Sequence, residues 1–180
     1  GLIWGVGRWG RGYRIPKPSA DISVSGPKIT VCVPARNEAL NIGACVRAAL
    51  GSRWSNLEVI VVDDRSEDET GPVALAAAAG DPRFRLVMGT EPPSGWSGKA
   101  WALTRASGEA SGDVLLFIDA DVRVHPDALS ALYSEAKDGQ LALLSVFGTW
   151  DLRGFWERTV IPAVGWLVRG AVDLDRVNAS

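Results

Sequence analysis

Short apolar runs alternate along the chain with segments whose apolar positions recur at helical spacing. Ile29-Thr30-Val31-Cys32-Val33 is rich in β-branched residues and stops at Pro34, so it reads as a strand, with Ala35-Arg36-Asn37-Glu38 as the loop that follows. Asn41 to Leu50 favours a helix, with Asn41 placed to cap it and Gly51 to stop it. Leu57 to Val62 repeats the strand pattern and runs into the polar loop Asp63 to Thr70, ahead of an Ala-rich helix from Pro72 to Ala79. Phe84 to Met88 is a third short strand. Beyond it, the second half of the stretch Glu91 to Leu103 predicts a helix with Gly98 and Lys99 near its positive end. The run Val114-Leu115-Leu116-Phe117-Ile118, between Gly112-Asp113 and Asp119, fits a strand buried on both faces. Pro126 then begins a helix carrying Ala128, Leu129, Leu132 and Ala136 on one face. Strands and helices in this order predict an α/β fold: a mainly parallel sheet flanked by helices and joined by right-handed crossovers.

The two ends differ from this middle. Gly5-Val6-Gly7-Arg8-Trp9-Gly10 matches G-x-G-x-x-G, but too few residues precede it for a strand and Pro16 and Pro18 obstruct a following helix, so a dinucleotide site is excluded. Leu2, Ile3, Trp4 and Trp9 among Arg8, Arg11 and Arg14 suit a membrane-proximal segment, against the plainer reading of a loose arm. Near the other end, Phe155, Trp156, Thr159, Val160, Ala163, Val164, Leu167, Val168 and Ala171 form a near-helical apolar stripe interrupted by Pro162. Packing against the sheet is the default for that stripe. Trp150, Trp156 and Trp166 beside Arg153, Arg158 and Arg169 favour the alternative, a helix lying in a membrane interface. The expected organisation is an arm over 1–27, a ligand-binding domain over 28–147 and an amphipathic helical segment over 148–180. Because the chain begins at Gly1 and the last segment looks cut short, a fragment of a longer protein is expected.

With 180 residues, 47% of them apolar, the chain can bury a sizeable core. A net charge of −2 at pH 7 supplies no global field for nucleic acid, and none is expected as a partner. Cys32 and Cys45 match no metal spacing and read as buried free thiols in a reducing compartment. No apolar run reaches the roughly 18 residues of a bilayer-spanning helix.

The chemistry concentrates at strand ends. Asp119 and Asp121 lie just past an apolar strand, where open α/β sheets bind ligands. Two carboxylates so close repel and need a compensating cation; Mg²⁺ or Mn²⁺, held by one or two carboxylates plus substrate phosphates, suits them. Asp63 and Asp64 likewise emerge from a strand, whereas helix capping accounts for Asp68 and Glu69. Lys99 at a helix start can receive a diphosphate. His125, the only histidine, has no partner in sequence for a triad and reads as an exposed spectator, against the alternative of a loop position near the metal edge. In a parallel sheet the clusters around Arg36, Asp64 and Asp119 fall along one edge.

Val33-Pro34-Ala35-Arg36-Asn37-Glu38, Val61-Val62-Asp63-Asp64-Arg65-Ser66-Glu67-Asp68-Glu69-Thr70 and Asp119-Ala120-Asp121 resemble, in order and spacing, the donor-binding half of family 2 glycosyltransferases with the Rossmann-like GT-A fold. The resemblance covers residues 28–147. Gly95-Trp96-Ser97-Gly98-Lys99-Ala100-Trp101-Ala102, with Glu157-Arg158 and Ile161-Pro162-Ala163, look most like the bacterial branch associated with hopanoid and carotenoid glycosylation. The resemblance implies an inverting, metal-dependent transfer of sugar from a nucleotide diphosphate donor, a UDP-sugar, to a lipid or isoprenoid-type acceptor at the cytoplasmic face of a bacterial membrane. It implies that Pro34, Ala35, Arg36, Glu38 and Asp64 hold the base and ribose. Lys99 would neutralise the diphosphate, Asp119 would face the ribose and the metal with Ala120 also in the nucleotide-sugar site, and Asp119 and Asp121 would carry Mg²⁺ or Mn²⁺. The family's acidic motif for the catalytic base and its later Gln/Arg/Trp motif are not recognisable before Ser180. Asp151, Asp173 and Asp175 lack supporting context, so the base is left unassigned. A non-catalytic nucleotide-sugar-binding module is the alternative. A nucleotidyltransferase would want a Gly-rich loop after the first strand, where this chain has Pro34 to Glu38.

Overall fold

A computed structural model of the protein describes Trp4–Gly5 and residues 26–147. The expected features over 6–25 and 148–180, including the amphipathic C-terminal segment, lie outside the described residues. The chain divides into two compact units. In Gly1–Lys17 with Ala131–Ser180, strand β1 (Trp4–Gly5) pairs antiparallel with β6 (Val146–Phe147). The other unit, Pro18–Ser130, holds β2 (Ile29–Ala35), α1 (Ile42–Leu50), β3 (Leu57–Asp63), α2 (Thr70–Ala78), β4 (Phe84–Met88), α3 (Gly98–Glu109) and β5 (Val114–Phe117). Helix α4 (Ala128–Asp138) follows, with Ala128 and Leu129 buried and Leu132 and Ala136 half-buried.

The four central strands form a fully parallel sheet in the order β4-β3-β2-β5, as the alternation of elements predicts. From β2 to β3 to β4 the chain steps one way; from β4 to β5 it returns past both middle strands. Right-handed crossovers therefore place α1 and α2 on one face and α3 on the other. Ala102 and Ala106 of α3 pack on Cys32, Ile60 and Val62, so the alternate residues Val31, Val33, Val59 and Val61 face α1 and α2. The valines are fully buried, each worth about 1.5–3 kcal/mol relative to exposure. Helices α1 and α2 meet closely at Gly43, where an added Cβ would stand 3.1 Å from Val73 Cγ1.

Three expectations are corrected. Strand β5 is not buried on both faces: it is an edge strand among the described residues, and Leu115 and Phe117 remain 38% and 48% exposed on one side. Strand β2 does not end at Pro34 but continues through Ala35, in register with Asp63. Asn41 precedes α1 without capping it through its side chain; its Nδ2 instead donates to Glu38 Oε2 at 3.0 Å.

Candidate functional site

The order of the strands reverses between β2 and β5, and ligands in open α/β sheets collect beyond the carboxyl ends of strands at such a point. A difference in strand length deepens it. Strand β5 pairs with β2 only as far as Cys32↔Phe117, and the last bond across this seam runs from Ile118 N–H to Cys32 O at 3.1 Å. Beyond it β2 continues alone on that side. Residues two apart in a strand turn their backbone groups the same way, so the nitrogen of Pro34 faces this gap, as the carbonyl of Cys32 faces β5. A proline there removes no ladder hydrogen bond, which is why it is tolerated inside a central strand.

The gap opens into a cleft of about 260 Å³ lined by Pro34, Ala35, Arg36, Glu38, Asp64, Lys99, Ala102, Asp119, Ala120 and Asp121. Every binding and metal residue expected from the sequence lies in this lining. Ala102 was not foreseen, although it stands one helical turn after Lys99 on the same face of α3.

The loops are held by one another. Asn37, at φ 55°, donates its N–H to Ser66 Oγ (3.0 Å) and accepts from Glu67 N–H through Oδ1 (2.8 Å). Glu38 N–H donates to Thr70 Oγ1 at 2.8 Å, and Ala39 N–H to Asp68 Oδ2 at 3.1 Å. Asp68 Oδ1 accepts from Thr70 N–H at 3.0 Å and from the Thr70 hydroxyl, bonds that hold its carboxyl below the usual range. Asp68 thus caps α2 as expected; Glu69 makes no side-chain cap. Ser66, Asp68 and the fully buried Thr70 position the β2 loop from the β3 loop, a role that sequence reading missed because each partner lies on a different loop.

The paired acids at the end of β3 separate in function. Asp63 turns inward and accepts from Ser66 N–H at 3.0 Å. Asp64 lines the cleft while only 4% exposed; its N–H donates to Ala35 O at 2.8 Å and its Oδ1 accepts from Arg65 Nε at 3.2 Å. Arg65 is anchored in turn on Glu91. Gly98 allows α3 to approach: a Cβ there would stand 2.6 Å from Asp64 Oδ2. Ser97 caps α3 by accepting from Ala100 N–H at 3.3 Å, so the first turn of α3 points its positive end toward the cleft. Lys99 Nζ pairs with Asp119 Oδ1 at 2.6 Å.

The β5 loop is tied to α1 by Cys45, whose thiol donates to Asp119 O at 3.7 Å, and by Arg123, which donates to Asp121 O at 2.8 Å and Asn41 Oδ1 at 3.5 Å. Both cysteines are free and buried as expected, and desolvation pushes each thiol up to about 11. His125 lies outside the cleft lining, beside Asp127, which also binds Arg53 Nη1 at 2.7 Å.

Asp119 and Asp121 are exposed to the cleft, and among the described residues no group of three His, Cys, Asp or Glu is arranged around a metal position. An all-protein cage is therefore not formed there. Two open carboxylates do fit a hard cation such as Mg²⁺ or Mn²⁺ that completes its shell with water and phosphate oxygens.

Residues 30–169 match the family model for glycosyl transferase family 2. The chain is similar to a probable glycosyltransferase, YdaM, of Bacillus subtilis, at 35% identity over 53% of this chain and 23% of that protein. It is also similar to the GalNAc(5)-diNAcBac-PP-undecaprenol beta-1,3-glucosyltransferase of Campylobacter jejuni, at 28% identity over 63% of this chain and 36% of that one. The mannosyltransferase PcManGT of Pyrobaculum calidifontis, solved with GDP-Man and Mn²⁺, superposes with a TM-score of 0.55 at 29% identity, covering 67% of this chain and 36% of its own. The chain thus spans a quarter to about a third of the length of these three proteins.

Proposed function

Because the chain belongs to glycosyl transferase family 2, we propose that its cleft binds a nucleotide diphosphate sugar, and that the protein transfers the sugar to an acceptor by metal-dependent inverting chemistry. The observation that carries this reading is the convergence of Arg36, Asp64, Lys99, Asp119 and Asp121, from separate segments, on one cleft at the reversal of strand order.

Asp64, nearly buried and fixed through its backbone, can accept from a ribose hydroxyl or a base N–H. Arg36 and the Lys99 ammonium, with the first turn of α3, supply positive charge to a diphosphate. Asp119 and Asp121 would hold Mg²⁺ or Mn²⁺, which when bound neutralises charge on the departing diphosphate. The Mn²⁺ of PcManGT supports a divalent cation. UDP is the expected nucleotide from the motifs; the GDP-Man of that mannosyltransferase makes GDP the comparison to run. The undecaprenol-linked acceptor named for the Campylobacter relative supports a lipid-type acceptor; a meeting at the cytoplasmic face of a bacterial membrane is what the sequence motifs imply. The Gly95 to Ala102 motif supports the hopanoid and carotenoid branch. Among the described residues no helix is long and apolar enough to cross a membrane.

Calorimetric titration with UDP, GDP and other nucleoside diphosphates, with and without Mn²⁺, tests the reading. Asp121→Ala is expected to abolish the metal-dependent part of binding; Asp64→Ala should weaken nucleotide binding about tenfold or more even without metal. Parent-like binding by both variants would overturn the assignments. A second reading is a donor-binding module without catalysis. It predicts uptake of UDP with Mn²⁺ but neither transfer nor donor hydrolysis.

A further inference from the structure

The Lys99 to Asp119 pair joins the group that should meet the diphosphate to a group that should meet the metal. Their side chains are 61% and 59% exposed, so the pair is solvated, weak and easily exchanged. Asp121, by contrast, makes no ion pair among the described residues; only its backbone carbonyl is engaged, by Arg123. The two carboxylates and the ammonium then sum to one negative charge, which a divalent cation arriving alone must share with Lys99. Arg36 also lines the cleft and carries no ion pair among the described residues, so phosphate has a cation to approach first.

We infer that Lys99 is an exchangeable internal cation that occupies Asp119 until a diphosphate draws it away, coupling metal binding to nucleotide binding. The inference rests on the proposed donor site and adds the order in which the site is charged. The flexible lysine stem springs from the first turn of α3, so its ammonium can swing between Asp119 and a phosphate held at that helix end. Once Lys99 leaves, both carboxylates are free for the cation. Each ligand then favours the other by the same factor.

The test is Mn²⁺ titration followed by the electron paramagnetic resonance of the free ion, with and without UDP, on the full chain and on Lys99→Gln and Lys99→Arg. Lys99→Gln is expected to bind Mn²⁺ alone roughly three- to tenfold more tightly, the size of an exposed ion pair plus the relieved repulsion. UDP should then raise its Mn²⁺ affinity by a smaller factor than in the parent. Lys99→Arg keeps the charge and should keep the weak binding of metal alone. If Lys99→Gln binds Mn²⁺ alone no better than the parent, or shows the same enhancement by UDP, the exchange is refuted while the donor site stands. If neither parent nor variants take up Mn²⁺ and UDP together, the donor site itself fails and this inference falls with it.

Discussion

Glu58, at the sheet edge opposite the cleft, offers a test of how the scaffold is held. It sits within β3, only 6% exposed, and its Oε2 accepts from Thr30 Oγ1 at 2.8 Å and from the N–H and hydroxyl of Ser111 at 3.0 Å each. Lys28 Nζ and Arg85 Nη1 stand 3.9 and 3.7 Å from Oε1. This carboxylate ties the start of β5 to β2, β3 and β4. Glu58→Ala would leave the buried Thr30 hydroxyl without its acceptor, whereas exposed Ser111 can turn to water and the two half-exposed cations lose little. The expected cost is about 2–4 kcal/mol, most of it the charge-assisted bond from Thr30. Glu58→Gln keeps an acceptor and should lose only about 1 kcal/mol. Urea unfolding at neutral pH measures both, and a series at falling pH adds the sign. Burial alone would raise the Glu58 carboxyl, but bonds from Ser111 and Thr30, with the Lys28 charge, outweigh it and hold the group below its ordinary 4.5. A carboxyl depressed by folding contributes stability that is complete above the unfolded range and is lost as pH falls through the folded value. The parent should therefore lose more stability than Glu58→Gln on acidification below about pH 4.5. Equal acid limbs, or Glu58→Ala within about 0.5 kcal/mol of the parent, would refute the reasoning.

Two other perturbations probe the cleft side. Thr70→Val removes the acceptor for Glu38 N–H and the donor to Asp68; it should cost about 1–3 kcal/mol in urea unfolding and weaken UDP binding several-fold by loosening the β2 loop. An unchanged nucleotide affinity would show that the brace does not set the cleft. Cys32 and Cys45, pushed up to about 11 by burial, hold almost no thiolate at pH 8 and should react with a disulfide reagent only after unfolding. Rapid modification of either thiol in the native protein would contradict their burial.

Elements were legible wherever local pattern decides them. Apolar runs located all four strands of the parallel sheet: β2 and β3, covered on both faces, have almost no polar side to interrupt them, and the edge strands β4 and β5 are still mostly apolar, while the helices began within a turn or so of their predicted starts. What escaped was the identity of partners. Asp63 and Asp64 are chemically identical neighbours, yet one turns to Ser66 N–H and the other to the cleft, a difference set by strand alternation and by the approach of Gly98. Glu58 reads in sequence as a lone polar interruption of an apolar strand, since Thr30 and Ser111 become its neighbours only in the sheet. The β5 run misled in the other direction: apolar composition states what a strand could bury, not whether a neighbour covers it, and Leu115 and Phe117 stay open.

The place of the site follows from topology before any functional residue is considered. A return crossover sets β5 beside β2, and β5 leaves that seam at Ile118 while β2 continues to Ala35. Had β5 paired to the end, the nitrogen of Pro34 would have faced a carbonyl with no proton to offer, and the Asp119 turn would have emerged level with Ala35. Stopping short removes that conflict and sets the turn back along β2, with Asp64 entering from the neighbouring strand and Lys99 from the helix behind. The same mismatch that makes a proline tolerable in a central strand thus makes room for a ligand among groups of both charges.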